Sequence, residues 1–496
     1  MKKNKLNQIL IACMGLFAFN ACSDLTVDEV DSIVRTGGSG GFSPGNPTEL
    51  LISAYKDLGA YTDQANMYAL GQHSSAEMIP PTRGVDWGDN GVWRTLDQHT
   101  WDATHSWNNN AWNQLNQRVF KCNEIIASNP SPAQKAEAQF LRAWNAFHVM
   151  DFWGKLPFRE VTDGVDVNPK VLDRSAAFDF IVKDLNEALP GLSAGGPKPN
   201  NPKATKAAAN FLLARLHLNK AVYKSSKAEG PYTFDNADMQ KVIDAVNAIE
   251  AEGYKLGDDY FQNFSKDATT ESILNSDEGT PQNRWFMTLH YDQNPSGWNG
   301  FTTLADFYDT FEDGDIRKGL AAKKDGTNFS GIGHGFLIGQ QHKDNGEAIV
   351  DSRSKKPLLF TRDVTLAGTP TDKGIRAIKY HPATAGKYIL MRYADAYLMK
   401  AEAQLRSGKT ADALAAVNAL RANRKAKALG ALSLDNLFQE IGRETYWEGG
   451  KRTVEIRFGK FLTGTGALKT DPHLVLYPVP SAAIVSNPNL KQNPGY

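Results

Sequence analysis

Arg392-Tyr393-Ala394-Asp395-Ala396-Tyr397-Leu398-Met399-Lys400-Ala401-Glu402-Ala403 reads as one helix with a packing face. Ala394, Tyr397, Leu398, Ala401 and Leu405 recur at three- and four-residue spacing, which places them on one side of a 3.6-residue period. The alanines let a neighbouring helix come close. Ser407-Gly408-Lys409-Thr410 interrupts the pattern, and a second helix is expected from Thr410 to Asn423. The same device occurs twice upstream. In Pro132 to Trp153, Phe140, Trp144 and Phe147 fall at i, i+4 and i+7 among Ala136, Ala138, Ala143 and Ala146, and Ser175 to Leu189 follows. Ala204 to Tyr223, with Leu212, Leu216 and Ala207 to Ala209, is followed by Ala237 to Ala251. Antiparallel pairs with small residues at their contact resemble tetratricopeptide units, although long insertions abolish a fixed period of about 34 residues.

Between about Tyr254 and Lys387 the period gives way to Gly, Asn, Asp and aromatic residues, with short strands expected at Arg284 to His290 and Ala377 to Tyr380. The expected fold class is therefore mainly α, a tetratricopeptide-like helical repeat scaffold with a loop-rich insertion and a few short strands. One domain is expected over 49–496, with helical pairs at about 49–253 and 388–450 and a loop-rich cap at about 254–387.

The N-terminus carries different information. Lys2, Lys3 and Lys5 precede an apolar run from Ile9 to Phe19, the form of a signal peptide and too short for a bilayer span, which needs about 20 residues. The run ends in Phe19-Asn20-Ala21-Cys22, where a small residue before cysteine resembles a lipobox cut ahead of Cys22; an ordinary signal-peptidase site is the alternative. Residues 1–21 are thus expected to be a leader and 22–48 a lipidated N-terminus and tether, glycine-rich from Gly37 to Gly45. Several acyl chains on Cys22 give a stable anchor. Lys+Arg and Asp+Glu number 55 each, and removing the leader takes three lysines and no acid, leaving a formal charge of −3. No global field draws such a chain to nucleic acid. Cys122, far from the other two cysteines, reads as a buried apolar residue.

Catalytic and cofactor motifs fail on context. Gly41-Phe42-Ser43-Pro44-Gly45 matches a nucleophile elbow but lies in the tether with neither strand nor helix beside it. Ser407 to Thr410 ends like a phosphate loop, yet Ala403 holds the first glycine position. The chain shows no H-E-x-x-H, no C-x-x-C and no dinucleotide fingerprint, so no cofactor is expected. A structural calcium in the loop from Asp86, where Gly88 and Asp97 depart from the EF-hand pattern, is the one metal the sequence leaves open.

Five of the ten tryptophans, Trp87, Trp93, Trp101, Trp107 and Trp112, fall in one short stretch with Arg83, Asp86, Asp89 and Asn90. Trp101, Trp107 and Trp112 read as core. Trp87, between Asp86 and Gly88 in a turn-like run, reads as a surface ring. Exposed rings beside Asp, Asn and Arg suit sugars, whose C–H faces stack on the ring while polar groups take the hydroxyls. Arg284-Trp285 and the run from Tyr291 to Phe301, including Trp298, form a second such group. Three readings follow: a glycan-binding protein, a lipid-anchored glycosidase whose carboxylate pair is not recognisable, and a protein-interaction lid that binds no glycan.

Ala76-Glu77-Met78-Ile79-Pro80-Pro81-Thr82-Arg83-Gly84 leading into Asp86-Trp87 resembles the early loop of SusD-type proteins, and Asn299 to Leu304 with Phe307-Tyr308 and Asp315-Ile316-Arg317 resembles their middle segment. Arg392 to Ala403, Arg443-Glu444, Glu448-Gly449, Arg452, Tyr477-Pro478-Val479-Pro480 and Gln492 to Tyr496 follow the family in order and spacing. With the lipobox, the resemblance to the SusD/RagB family covers nearly the whole chain. It implies a right-handed stack of helix pairs, a shallow glycan site and no catalysis. It further implies an outer-membrane, cell-surface lipoprotein that captures oligo- or polysaccharide and hands it to a SusC-like TonB-dependent transporter. Glycan contacts carry over onto Trp87, Arg83, Asp89, Asn90 and Trp93 in the early loop and onto Trp285, Tyr291 and Trp298 in the middle segment. Glu448 and Arg452, four apart, read as an ion pair orienting the last helix.

Overall fold

Phe140, Trp144 and Phe147 are each at most 2% exposed, because the helix that carries them, Pro132–Trp153, is covered on both flanks. Its ends are written locally: Ser131 and Gln134 close a capping box at the start, and Gly154 takes the left-handed conformation at the end. The computed structural model describes residues 42–164, 166–464 and 467–496. The expected leader and most of the expected tether, Cys22 included, lie outside them. Pro44 to Tyr496 forms one compact unit.

Seven helices make the scaffold: α1 (Ser106–Ala127), α2 (Pro132–Trp153), α3 (Arg174–Ala188), α4 (Lys206–Leu218), α5 (Asn236–Ala251), α6 (Tyr393–Arg406) and α7 (Thr410–Asn423). Each packs on the next in that order, α6 bridging from α5 to α7 across the inserted cap. Fully buried Ala207, Ala208, Ala209, Ala396 and Ala403 sit at these contacts and keep the axes close. The scaffold is the tetratricopeptide-like one expected. Ser407 to Lys409 is the turn between α6 and α7, not a phosphate loop. No helix among the described residues is long and apolar enough to cross a membrane. Cys122 is buried in α1, and burial pushes its thiol up to about 12, so it is inert.

The cap holds short strands over its own small core of Leu289, Ile332, Leu337, Ile349, Leu358 and Phe360. Arg376–Ile378 is a strand, close to expectation. The strand expected at Arg284 to His290 is absent: Gln282–Phe286 is a wide helical turn whose amides bond back to Pro281. Met78–Ile79 pairs antiparallel with Thr302–Thr303. That two-rung ladder sets the tryptophan-rich loop beside the cap.

A buried ionic hub fastens the cap to α8 (Leu434–Thr445), the helix before α9 (Lys451–Arg457). Glu444, fully buried, takes Arg317 at 3.1 Å, Arg392 at 2.8 Å and Arg424 at 2.9 Å. Glu271 receives Arg392 and Arg424 as well, and Glu440 receives Arg317. These three guanidiniums hold the Glu444 carboxyl well below the usual range against the opposing effect of burial. The expected Glu448–Arg452 pair does not form. Glu448 pairs with Lys379 at 2.6 Å and Arg392 at 2.8 Å, and Arg452 with Asp151 at 2.9 Å, because the turn before α9 breaks the helical spacing.

Candidate glycan site

From Pro80 the chain leaves the ladder and turns at once, Arg83 and Asp86 exchanging backbone hydrogen bonds. Trp87, Asp89 and Asn90 then take positive φ values of 63°, 36° and 53°. Three such residues in four coil the backbone so that Trp87 turns inward over the middle segment. Gly300 leaves room for it; a Cβ there would overlap the Trp87 ring. The indole Nε1 donates to the Trp298 carbonyl at 2.8 Å, and the ring lies 5.0 Å from Phe301 and 6.4 Å from Trp298. Trp298 keeps 42% of its surface exposed and is stacked from behind by Phe286 at 5.6 Å.

Around these two rings lies an open depression of about 780 Å³. Trp93, Trp107 and Tyr291 add to its aromatic lining, and Gln64, Asp86 and Asp89 supply polar atoms. Tyr291 donates to Asp86 Oδ2 at 2.5 Å, Arg353 donates to the same oxygen at 2.7 Å, and the Arg353 guanidinium lies 4.0 Å over the Tyr291 ring. Hydrogen bonds from Tyr291 and Arg353 hold the Asp86 carboxyl below its ordinary value, so it is ionised at neutral pH. Burial and then Asp86 push the Tyr291 phenol up to about 12. Trp93 Nε1 donates to Asp89 Oδ2 at 2.6 Å. The hydrogen bonds that shape the site thus run within the early loop, between it and the middle segment, and from the early loop to Arg353 of the cap.

The two aromatic groups expected from sequence thus converge. Trp87, Asp89, Trp93, Tyr291 and Trp298 line one depression, Trp93 almost wholly buried within its wall at 3% exposure. Asn90 is exposed beside it without lining it. Arg83 does not reach it: the side chain is 1% exposed and donates to the Pro370 and Lys373 carbonyls, stapling the early loop to the cap. Trp285 turns away and packs beside Arg284 and the cap core. Two lining residues escaped the sequence reading. Trp107, expected in the core, is half-buried with its Nε1 unpartnered, and the buried Gln64 Oε1 is unpartnered too. Neither has a local signal beyond lying near other aromatics.

The calcium-like spacing from Asp86 closes into no oxygen cage, since Asp86 and Asp89 turn to the partners above and Asp97 is buried, which raises it to about 7. His290, Asp292 and Asp351 do bring ligand-type atoms within 4.8 Å of one another. Asp292 accepts Ser352 N–H and Asp351 accepts Arg353 N–H, both at 2.8 Å, which ties the Tyr291 turn to the Arg353 turn.

A model of the SusD family matches residues 258–473, and one described as starch-binding, associating with the outer membrane, matches residues 89–201. The starch-binding protein SusD of Bacteroides thetaiotaomicron is 24% identical over 100% of this chain and 99% of its own length. SusD-like protein P2 of Formosa agariphila is 23% identical over 78% of this chain and 80% of its own. A SusD-like protein of Bacteroides fragilis superposes with a TM-score of 0.69 at 20% identity, covering 91% of this chain and 96% of that one. A laminarin-binding SusD-like protein gives 0.66 at 20% identity, covering 92% and 100%. With the helical stack, the inserted cap, family models matching residues 89–201 and 258–473 and a curated relative aligned over the whole chain, the chain is a SusD-like family protein.

Proposed function

We propose that this protein is a non-catalytic, cell-surface lipoprotein of the outer membrane that captures oligo- or polysaccharide in the depression around Trp87 and Trp298. It delivers the glycan to a SusC-like TonB-dependent transporter. The observation that carries the reading is the depression itself: one exposed indole, one half-buried indole and a phenol, flanked by carboxylate oxygens. Such a surface stacks on a sugar's C–H face and takes its hydroxyls, in part through water. The openness of the site fits a chain held along its length rather than a small molecule enclosed. Its affinity is modest because a few stacked rings must offset the ordering of a flexible polymer.

Relatives point the same way: one is named for starch binding and another for laminarin binding. The SusD family is non-catalytic, and the chain is no enzyme. Acylation of Cys22 and docking on a transporter rest on the family and on the lipobox-like run from Phe19 to Cys22.

Affinity electrophoresis and calorimetry of the full chain in detergent, against a panel of plant, algal and host polysaccharides, test the reading. A retarded glycan whose binding falls in Trp298→Ala supports it, together with palmitate incorporation that Cys22→Ala abolishes. A panel on which nothing binds, from protein with an intact melting transition, removes it.

A further inference from the structure

The polar atoms left free around the depression differ in kind from those already engaged. Asp86 has Oδ2 occupied by Tyr291 and Arg353, and its Oδ1 has no hydrogen-bond partner among the described residues. Asp89 has Oδ2 occupied by Trp93, and its Oδ1 is likewise free. Each carboxylate is fixed through one oxygen by an aromatic residue of the site and presents the other. An ionised carboxylate accepts hydrogen bonds and donates none. A ligand for this lining must therefore donate. Sugar hydroxyls donate as well as accept, so they can meet such acceptors.

A uronate or sulfate group cannot donate, and it brings a like charge toward Asp86 and Asp89. Among the described residues no lysine or arginine lines the depression. Arg353, the nearest cation named above, is already bound to Asp86 and laid over Tyr291, so an acidic sugar gains it only by breaking that pair. We propose that this depression selects neutral, hydroxyl-rich glycans and excludes those carrying uronate or sulfate groups on the sugar units it holds. The proposal rests on the glycan-binding reading above and adds the chemical class of the ligand. Exclusion here works through unpaired acceptors and like charge, a repulsive element beside the attractive stacking.

Calorimetry of the full chain in detergent tests it with malto-, cello-, laminari- and manno-oligosaccharides, each paired with the same sugar whose C6 alcohols have been oxidised to carboxylates. At least one neutral sugar is expected to bind roughly tenfold or more tightly than its oxidised partner, a gap that high salt and Asp89→Asn both narrow. An oxidised sugar that binds as tightly as its neutral partner overturns the proposal while leaving glycan binding intact. A gap unmoved by Asp89→Asn and by Asp86→Asn overturns the assignment to these carboxylates. Failure of every neutral and every oxidised sugar to bind overturns the glycan reading itself, and the proposal with it.

Discussion

Trp87 and Trp298 share a hydrogen bond but hold different positions in the wall, and truncation should separate them. Trp298 is largely exposed, touching Phe286 behind it and the edge of Trp87, so Trp298→Ala is expected to weaken glycan binding about 10- to 100-fold while stability changes by no more than about 1 kcal/mol. Trp87 fills the space left by Gly300 and touches Phe301 and Trp93, so Trp87→Ala should abolish binding and also cost about 2–4 kcal/mol. Urea titrations beside affinity gels check both; equal stability losses in the two variants would remove the distinction. At this scale the sequence is only partly readable. A tryptophan between Asp86 and Gly88 announces a turn, but the ring expected at the surface is half-buried against Phe301 and Trp93, because three positive-φ residues turn it inward. Arg83 looked like a ligand contact because a charged residue in a polar loop gives no hint that backbone carbonyls from Pro370 and Lys373, nearly three hundred residues on, will bury it. Trp107 packs half-buried against the core, near expectation, but it also lines the depression, which helical spacing does not reveal.

The helices were legible because their signals are local. Capping residues Ser131, Asp173, Thr205 and Asp235 stand where the structure starts α2 to α5, and apolar spacing does the rest. The element from Gln282 to Phe286 was not, because a short run of mixed aromatics fits strand and turn equally. The hub around Glu444 was invisible too, drawing its three arginines from three separate stretches of chain. Its weight is testable. Glu444→Gln leaves Arg317, Arg392 and Arg424 short of a shared counter-charge in a fully buried site, at an expected cost of about 3–5 kcal/mol. A urea midpoint shifted by the equivalent of less than about 1 kcal/mol would show that Glu271 and Glu440 suffice.

Across the whole molecule, buried titratable groups set the pH range of stability. Burial lowers His73 and His148 to about 3 and His217, His290 and His334 to about 4, so the unfolded chain binds more protons than the native one below about pH 6.5. Stability from these groups is present above that pH and lost as pH falls. Glu444, held low, adds a further loss below about pH 4. Glu455 works in the other sense: burial raises it to about 8, the native state keeps a proton the unfolded chain has released, and stability falls as pH rises toward 8. The urea midpoint should therefore peak near neutrality, drop steeply below about pH 6 and decline gently toward pH 8, and Glu455→Gln should flatten the alkaline side. A midpoint that rises steadily to pH 9 in the unaltered chain would contradict this. Segment order made the family legible at this scale; the meeting of Trp87 with Trp298 was not, because it depends on a two-rung ladder between Met78–Ile79 and Thr302–Thr303.

The hub also dictates when the molecule can finish folding. Arg317, Arg392 and Arg424 are all synthesised before Glu444, and until that residue arrives they have only part of their counter-charge, from Asp315 and Glu271. The stack from α1 to α5 involves neighbours in sequence and can assemble early and fast, whereas closure of the cap spans more than a hundred residues and must wait. Docking of the cap is then expected to come late on the way to a competent site, and acid that protonates Glu444 is expected to slow it.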